Sequence, residues 1–224
     1  MLTVRVQLPP NPFGHLKAFG RFLPKTISDA LNETAFRTRA DLVGSLRDYM
    51  IIRTKWTQRG MRVEKSSADT LTARVGSIRP YMRAQAKGGE RPDPGGGQQV
   101  IPVQARPRPN LTTRPANWPR HLVKERGAFV ATLRGVSGVW LRKKRGKGGL
   151  RLMWRFVERV ELEARWPLKD LSQEGVRKHW QVSAVSALEK TAAYLRDRAA
   201  KDPHYKGAVR TNDEVVRRLQ RSQQ

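Results

Sequence analysis

Cysteine is absent from this 224-residue chain, which excludes disulfides and thiol catalysis. Long apolar runs are missing too: none approaches the roughly 20 residues of a membrane span, so no membrane partner is expected. The opening segment, MLTVRVQLPPNPFGHLKAFG, lacks the basic start, apolar middle and small-residue cleavage site of a secretory signal. Carboxylates are scarce, with 19 Asp and Glu against 45 Lys and Arg, a formal charge of +26. They vanish altogether between Glu125 and Glu158, where Arg126, Arg134, Arg142, Lys143, Lys144, Arg145, Lys147, Arg151 and Arg155 fall. Such a surplus attracts polyanions and opposes compaction by self-repulsion. Nucleic acid and an acidic protein face are both candidate partners.

Reactive constellations are equally hard to find. His15, His121, His179 and His204 are scattered without metal-ligand spacing, and no cysteine supports them, so no metal site is expected. Gly135-Val136-Ser137-Gly138 is one residue too short for a nucleophile elbow and reads as a tight β-turn. Gly146-Lys147-Gly148-Gly149 has neither the leading glycine nor the Ser/Thr of a phosphate loop. Glu161 and Glu163 share a strand face, but Arg159 and Arg165 flank them, which points to ion pairing. No enzyme and no cofactor are expected.

The periodicity present describes an α+β fold: a twisted, mostly antiparallel sheet packed against two long amphipathic helices, with an extended N-terminal arm and loops. Residues 1–24 form the arm, in which Leu2, Val4 and Val6 alternate with polar residues until Pro9 and Pro10. Residues 25–200 form the main domain. Its first helix, 25–50, carries Ile27, Leu31, Ala35, Thr38, Leu42, Leu46 and Tyr49 on one stripe. GMRVEKS and LTARVGSI read as a hairpin joined at Ser67-Ala68-Asp69, and Tyr81–Lys87 as a helical turn ended by Gly88 and Gly89.

Within the Gly/Pro/Arg-rich region 88–120, residues 88–98 read as a mobile loop. Val100, Ile101 and Val103 around Pro102 read as an edge strand, and 104–120 as an extended connection. Asn117 is a candidate cap for a short helix running to Arg126. Strands follow at Phe129–Leu133 and Gly138–Leu141, then one bent strand or two consecutive ones from Leu150 to Trp166. Leu150, Leu152, Trp154 and Phe156 fall on one side, with Arg151, Arg155, Arg159, Glu161, Glu163 and Arg165 on the other. Asp170 to Gln173 has capping-box spacing before a helix carrying Val176, Trp180, Ala184, Leu188, Thr191, Leu195 and Ala199, closed by Asp202-Pro203. In the basic tail 201–224, Thr211 and Glu214 open a last small helix to Gln220.

Contact candidates follow from exposed charge and loop-side aromatics. Arg142, Lys143, Lys144, Arg145 and Lys147 at a hairpin tip, with Arg106 and Arg108 in the linker, are candidates for meeting a polyanion. Val4 and Val6 in the arm, with Trp56, Trp118 and Trp166 beside turns, are interface candidates. Trp140, Trp154 and Trp180 read as core.

In order, the elements are the helix ALNETAFRTRADLVGSL, a hairpin ending RVGSIRPYMRAQAKGG, a short IPV strand, GAFVATLRGVSGVWLRK, LMWRFVERVELEARWP and a long closing helix. This order resembles the minor tail protein Z and tail-completion proteins of tailed bacteriophages. Those proteins share a phrase that runs aromatic-Val-Ala, then Gly-Val-aromatic-x-Arg, matched here by Phe129, Val130, Ala131, Gly138, Val139, Trp140 and Arg142. The resemblance covers about residues 25–200. It implies a structural virion protein, assembled in the host cytoplasm, that forms a ring with itself at the phage neck or tail end. Portal, adaptor, tail-tube or terminator proteins would be its neighbours, with packaged DNA passing close by. Two other readings stay open: a nucleic-acid-binding protein using the basic hairpin and Arg/Pro linker, and a transient assembly chaperone.

Overall fold

The computed structural model describes residues 20, 22–91, 98–142, 149–202 and 206–221. The fold is α+β, and every strand pairing in it is antiparallel. Two compact units divide it. Unit 1 comprises Met1–Asp48, Gln58–Pro80 and Pro167–Gln224; unit 2 comprises Tyr49–Thr57 and Tyr81–Trp166.

Unit 1 is organised by helix α1, Leu23–Tyr49, and helix α5, Leu168–Lys201. Helix α1 buries Leu31, Ala35, Thr38, Leu42 and Leu46, five of the seven stripe residues, whereas Tyr49 at the end is exposed. Each fully buried leucine contributes about 1.5–3 kcal/mol of apolar transfer. The two helices run antiparallel, with Thr26 Oγ1 2.9 Å from Thr191 Oγ1 and Glu33 reaching both Ser186 and Lys190. Close approach is possible because the buried face of α5 is built largely from small residues: Ser172, Gly175, Ser183, Ala187 and Ala192. A Cβ at Gly175 would stand 2.8 Å from the Thr38 methyl. Of the residues expected to form the α5 stripe, Leu188 and Leu195 are buried, while Val176, Trp180 and Ala184 are only half-buried.

Strands β1 (Met61–Glu64) and β2 (Arg74–Ser77) make a hairpin in register Met61↔Ser77 and Val63↔Val75. Their connection is longer than Ser67-Ala68-Asp69. Leu71, expected in the second strand, has φ 41°, and Ser67 and Thr70 exchange side-chain hydrogen bonds around the turn. Helix α1 holds the hairpin: Asn32 donates to the Ser66 carbonyl and accepts from the Ser66 N–H, and Arg39 Nε donates to the Met61 carbonyl at 2.7 Å.

The expected capping boxes do not form. Helix α5 starts at Leu168 on Pro167, which places Asp170 in its first turn, and Ser172 Oγ donates back to the Leu168 carbonyl. The last helix, α6, spans Lys206–Arg221, so Thr211 is interior to it. It packs on α5 through Leu188, Leu195, Ala208 and Val215, with Val216 and Leu219 alongside. Buried Asn212 donates to the Leu188 carbonyl at 3.1 Å.

Unit 2 contains a four-stranded sheet of order β4-β7-β6-β5: β4 Gln99–Pro102, β5 Ala128–Leu133, β6 Val136–Arg142 and β7 Leu150–Val157. The β5–β6 turn is two residues, Arg134 (φ 51°) and Gly135 (φ 77°). Paired positive φ values match the right-handed strand twist, and they place the turn earlier than the expected Gly135-Val136-Ser137-Gly138, whose last three residues lie in β6. Strand β4 is an edge, as Pro102 requires. At Gly138 the strands approach so closely that a Cβ would overlap the Trp154 carbonyl oxygen.

Two segments differ from expectation. Residues 88–98 were read as a loop, yet β3 (Gly89–Arg91) pairs with β8 (Val160–Leu162), so the stretch from Leu150 onward forms two strands with different partners. The Pro/Arg connection also does more than connect. It carries a 3₁₀ turn at Pro115–Asn117 and helix α4 at Pro119–Leu122, and it sends Ala105 and Leu122 into a core with Val139, Met153 and Trp154. Trp118, not Asn117, precedes α4; Asn117 instead donates to the Ala105 carbonyl and accepts from Trp154 Nε1 at 2.7 Å. Met153 and Trp154 are both buried, so β7 does not sort its side chains into one wet and one dry face.

Candidate functional site

Charge separates the two units. By sequence, unit 1 holds 24 Lys/Arg against 13 Asp/Glu, a net +11, while the shorter unit 2 holds 21 against 6, a net +15. Glu125 is the one carboxylate between Asp93 and Glu158, a span that takes in β4 to β7. Among the described residues, the ion pair within unit 2 is Arg159–Glu90 at 3.2 Å, and both its side chains are exposed. Glu161 sits opposite Glu90 in the β3–β8 ladder.

Helix α1 and α5 present the contrast. Glu33 accepts from Arg37, Lys190 and Ser186; burial works against its ionisation, but these donors together hold its pKa below the ordinary 4.5. Asp41 meets His179 at 2.7 Å and Lys178 at 3.3 Å. Its partial burial is outweighed in the same way, and its pKa lies below 3.8. These carboxylates are occupied in tying helices together. Among the described residues no group of three or more His, Asp or Glu side chains could hold a metal ion, and no helix is long and apolar enough to cross a membrane.

Arg142 ends β6 in an exposed position, with its guanidinium 6.0 Å from the Phe129 ring centre, and it is the register partner of Leu150. Lys143, Lys144, Arg145 and Lys147 lie outside the described residues, as do Val4 and Val6. Exposed Arg151 and Arg155 project from β7. Arg108 is exposed, whereas Arg106 is half-buried with an Nε that has no hydrogen-bond partner. Burial, and then the neighbouring charge of Arg53, lowers the Arg106 pKa from its usual value. An arginine stays ionised regardless, so the cost appears as unrelieved repulsion.

The three interface tryptophans part company. Trp118 is 40% exposed and lies beneath the Arg120 guanidinium at 5.2 Å. Trp56 is 49% exposed and stacks on Tyr81, with centroids 5.4 Å apart and planes within 13°. Trp166 is fully buried, which removes it as an interface anchor. Its backbone N–H and that of Arg165 both donate to the Gln85 carbonyl, so it pins the end of the charged strand to helix α3, Pro80–Lys87.

That junction forms a feature with no local sequence signal: an open cleft of about 370 Å³ lined by Met50, Ile51, Ile52, Arg53, Thr54, Thr57, Tyr81, Gln85 and Arg165. The Tyr81 hydroxyl is 2.7 Å from Thr57 Oγ1, and Arg53 Nε donates to the Pro109 carbonyl at 2.9 Å. Arg165 was legible as part of a charged strand face; Arg53 was not singled out by any pattern. Chemically, the described residues of unit 2 offer cations, exposed apolar side chains and a four-stranded sheet whose edge strands are β4 and β5. No protein-family model, curated protein or solved structure matches the chain.

Proposed function

We propose that this protein is a non-enzymatic structural subunit of a tailed-phage virion, a ring-forming component of the neck or tail end that completes the tail or joins it to the portal. The observation that carries the reading is the contrast between a helical unit whose carboxylates tie its helices together and a cationic sheet unit in which, among the described residues, Arg159–Glu90 is the one ion pair. Self-repulsion of that kind is relieved by assembly against acidic neighbours. The element order of helix, hairpin, edge strand, central strands and closing helix supports the same reading, because it is the order in which the sequence resembles tail-completion proteins. The edge strands β4 and β5 suit strand addition by adjacent subunits. The test is mass spectrometry of purified virions, followed by cryo-electron microscopy of the neck. Stoichiometric presence there is expected; absence from virions rejects the reading and leaves a transient assembly role in its place.

A second reading rests on Trp118 and Arg120, an exposed ring capped by a cation within a run of arginines, which is the chemistry that stacks on bases. Binding of duplex DNA through about eight phosphates would give a log–log salt slope near −7. A flat slope rejects nucleic acid as the principal partner.

A further inference from the structure

The cleft in unit 2 has the makings of a docking site that neither reading above assigns. Its walls combine apolar side chains (Met50, Ile51, Ile52) with two guanidinium groups, Arg53 and Arg165. No carboxylate lies in the lining, and among the described residues neither arginine has an ion pair. Arg53 is held by its Nε bond to the Pro109 carbonyl, which leaves the terminal nitrogens to donate elsewhere. Arg165 is held by its backbone bond to Gln85. Half-buried Arg106 adds a further positive charge close to Arg53.

We propose that this cleft binds an extended acidic segment of a partner protein, with one carboxylate between Arg53 and Arg165 and an adjacent apolar side chain against Met50, Ile51 and Ile52. Two guanidinium side chains in one lining without a counter-charge favour a carboxylate or a phosphate. The apolar wall decides between them. A sugar–phosphate chain brings nothing to cover isoleucines, and the aromatic ring in the lining, Tyr81, is already stacked on Trp56 and tied to Thr57. A peptide supplies both groups on neighbouring residues. The proposal deepens the reading of unit 2 as a face for acidic protein neighbours, but it needs no phage component to be tested.

The experiment is a fluorescence-anisotropy titration of the full chain with a labelled peptide of Gly-Leu-Glu repeats, its glutamine and lysine counterparts, and a labelled short oligothymidylate. Saturable binding of the glutamate peptide is expected, with the glutamine peptide weaker by about tenfold or more. Arg53→Ala and Arg165→Ala should each weaken the glutamate peptide by about tenfold, while Arg62→Ala, at an exposed cation on β1, leaves it unchanged. Arg165→Glu should turn the preference toward the lysine peptide, a gain that a misfolded variant cannot give. Equal binding of the glutamine peptide, equal loss on Arg62→Ala, or tighter binding of oligothymidylate through the same two arginines overturns the proposal. Virion mass spectrometry is independent of all these outcomes, so either idea can fail alone.

Discussion

Helix pairs in unit 1 and strand pairs in unit 2 treat charge in opposite ways. Around α1, α5 and α6, several carboxylates are answered: Asp29 by Lys25, Glu33 by Arg37 and Lys190, Asp41 by Lys178 and His179, Asp213 by Arg196. Among the described residues of β4 to β7, Arg142, Arg151 and Arg155 are exposed and form no ion pair. Exposed ion pairs contribute only up to about 1 kcal/mol each, so the difference says little about stability. It concerns availability. A paired cation must give up a partner before it can meet an incoming anion, whereas an unpaired one gives up only hydration.

The sharpest ways to break this contrast act on the two cores. Leu46→Ala should cost about 2–5 kcal/mol through the cavity it leaves. Gly138→Ala should cost about 1–3 kcal/mol or more by forcing β6 from the Trp154 carbonyl. Hydrogen exchange should rise in the α1 and α5 amides for the first variant and in β6 and β7 for the second; a uniform rise in both would dissolve the distinction between the units.

Next in size is the charge test. Reversing Arg142, Arg151 and Arg155 to glutamate should weaken retention on heparin by an order of magnitude or more, as roughly three anion contacts are lost. The same reversal at Arg37, Lys178 and Lys190 should weaken it less, and equal losses would show that location is irrelevant.

A smaller effect is expected at Glu33, whose side chain is 22% exposed. Its folded pKa lies below 4.5, so its contribution is complete above about pH 4.5 and is lost as pH falls through the folded value. Glu33→Gln should therefore lower stability by about 1 kcal/mol at pH 7, and the gap to the parent protein should close on acidification; a gap that widens in acid contradicts the assignment. Least of all, Lys201→Ala should lower stability by no more than about 0.5 kcal/mol, a barely measurable change in thermal unfolding, because its pair with Asp197 is exposed at i,i+4.

Legibility followed the range of the interactions. Helix α1, the Pro102 edge strand and strand β7 were readable because period and proline chemistry are local, whereas the Gly135 turn was placed too late because Val136, Ser137 and Gly138 belong to β6. The α5 face was misread because large apolar residues were weighted over Ser172, Gly175 and Ser183, although close helix approach selects the small ones. Strand β3 could not be seen: GER has no strand pattern, and its partner lies some seventy residues on, at β8. Trp166 looked like a turn-side tryptophan because Pro167 follows it, while the backbone bonds that bury it come from α3. The cleft depends on Arg53, Tyr81 and Arg165 meeting from three separate stretches, and no window contains them together.

The backbone crosses between the units after Asp48, Thr57, Pro80 and Trp166. During synthesis, every strand of the sheet therefore leaves the ribosome before the first residue of α5. At about 5–20 residues per second, α1 waits roughly 6–24 s for the helix that covers its apolar stripe. A chain cut short anywhere in the sheet would hold α1 with its hairpin but without α5, and such truncation products should be taken up by chaperones or proteases rather than persist as free half-proteins.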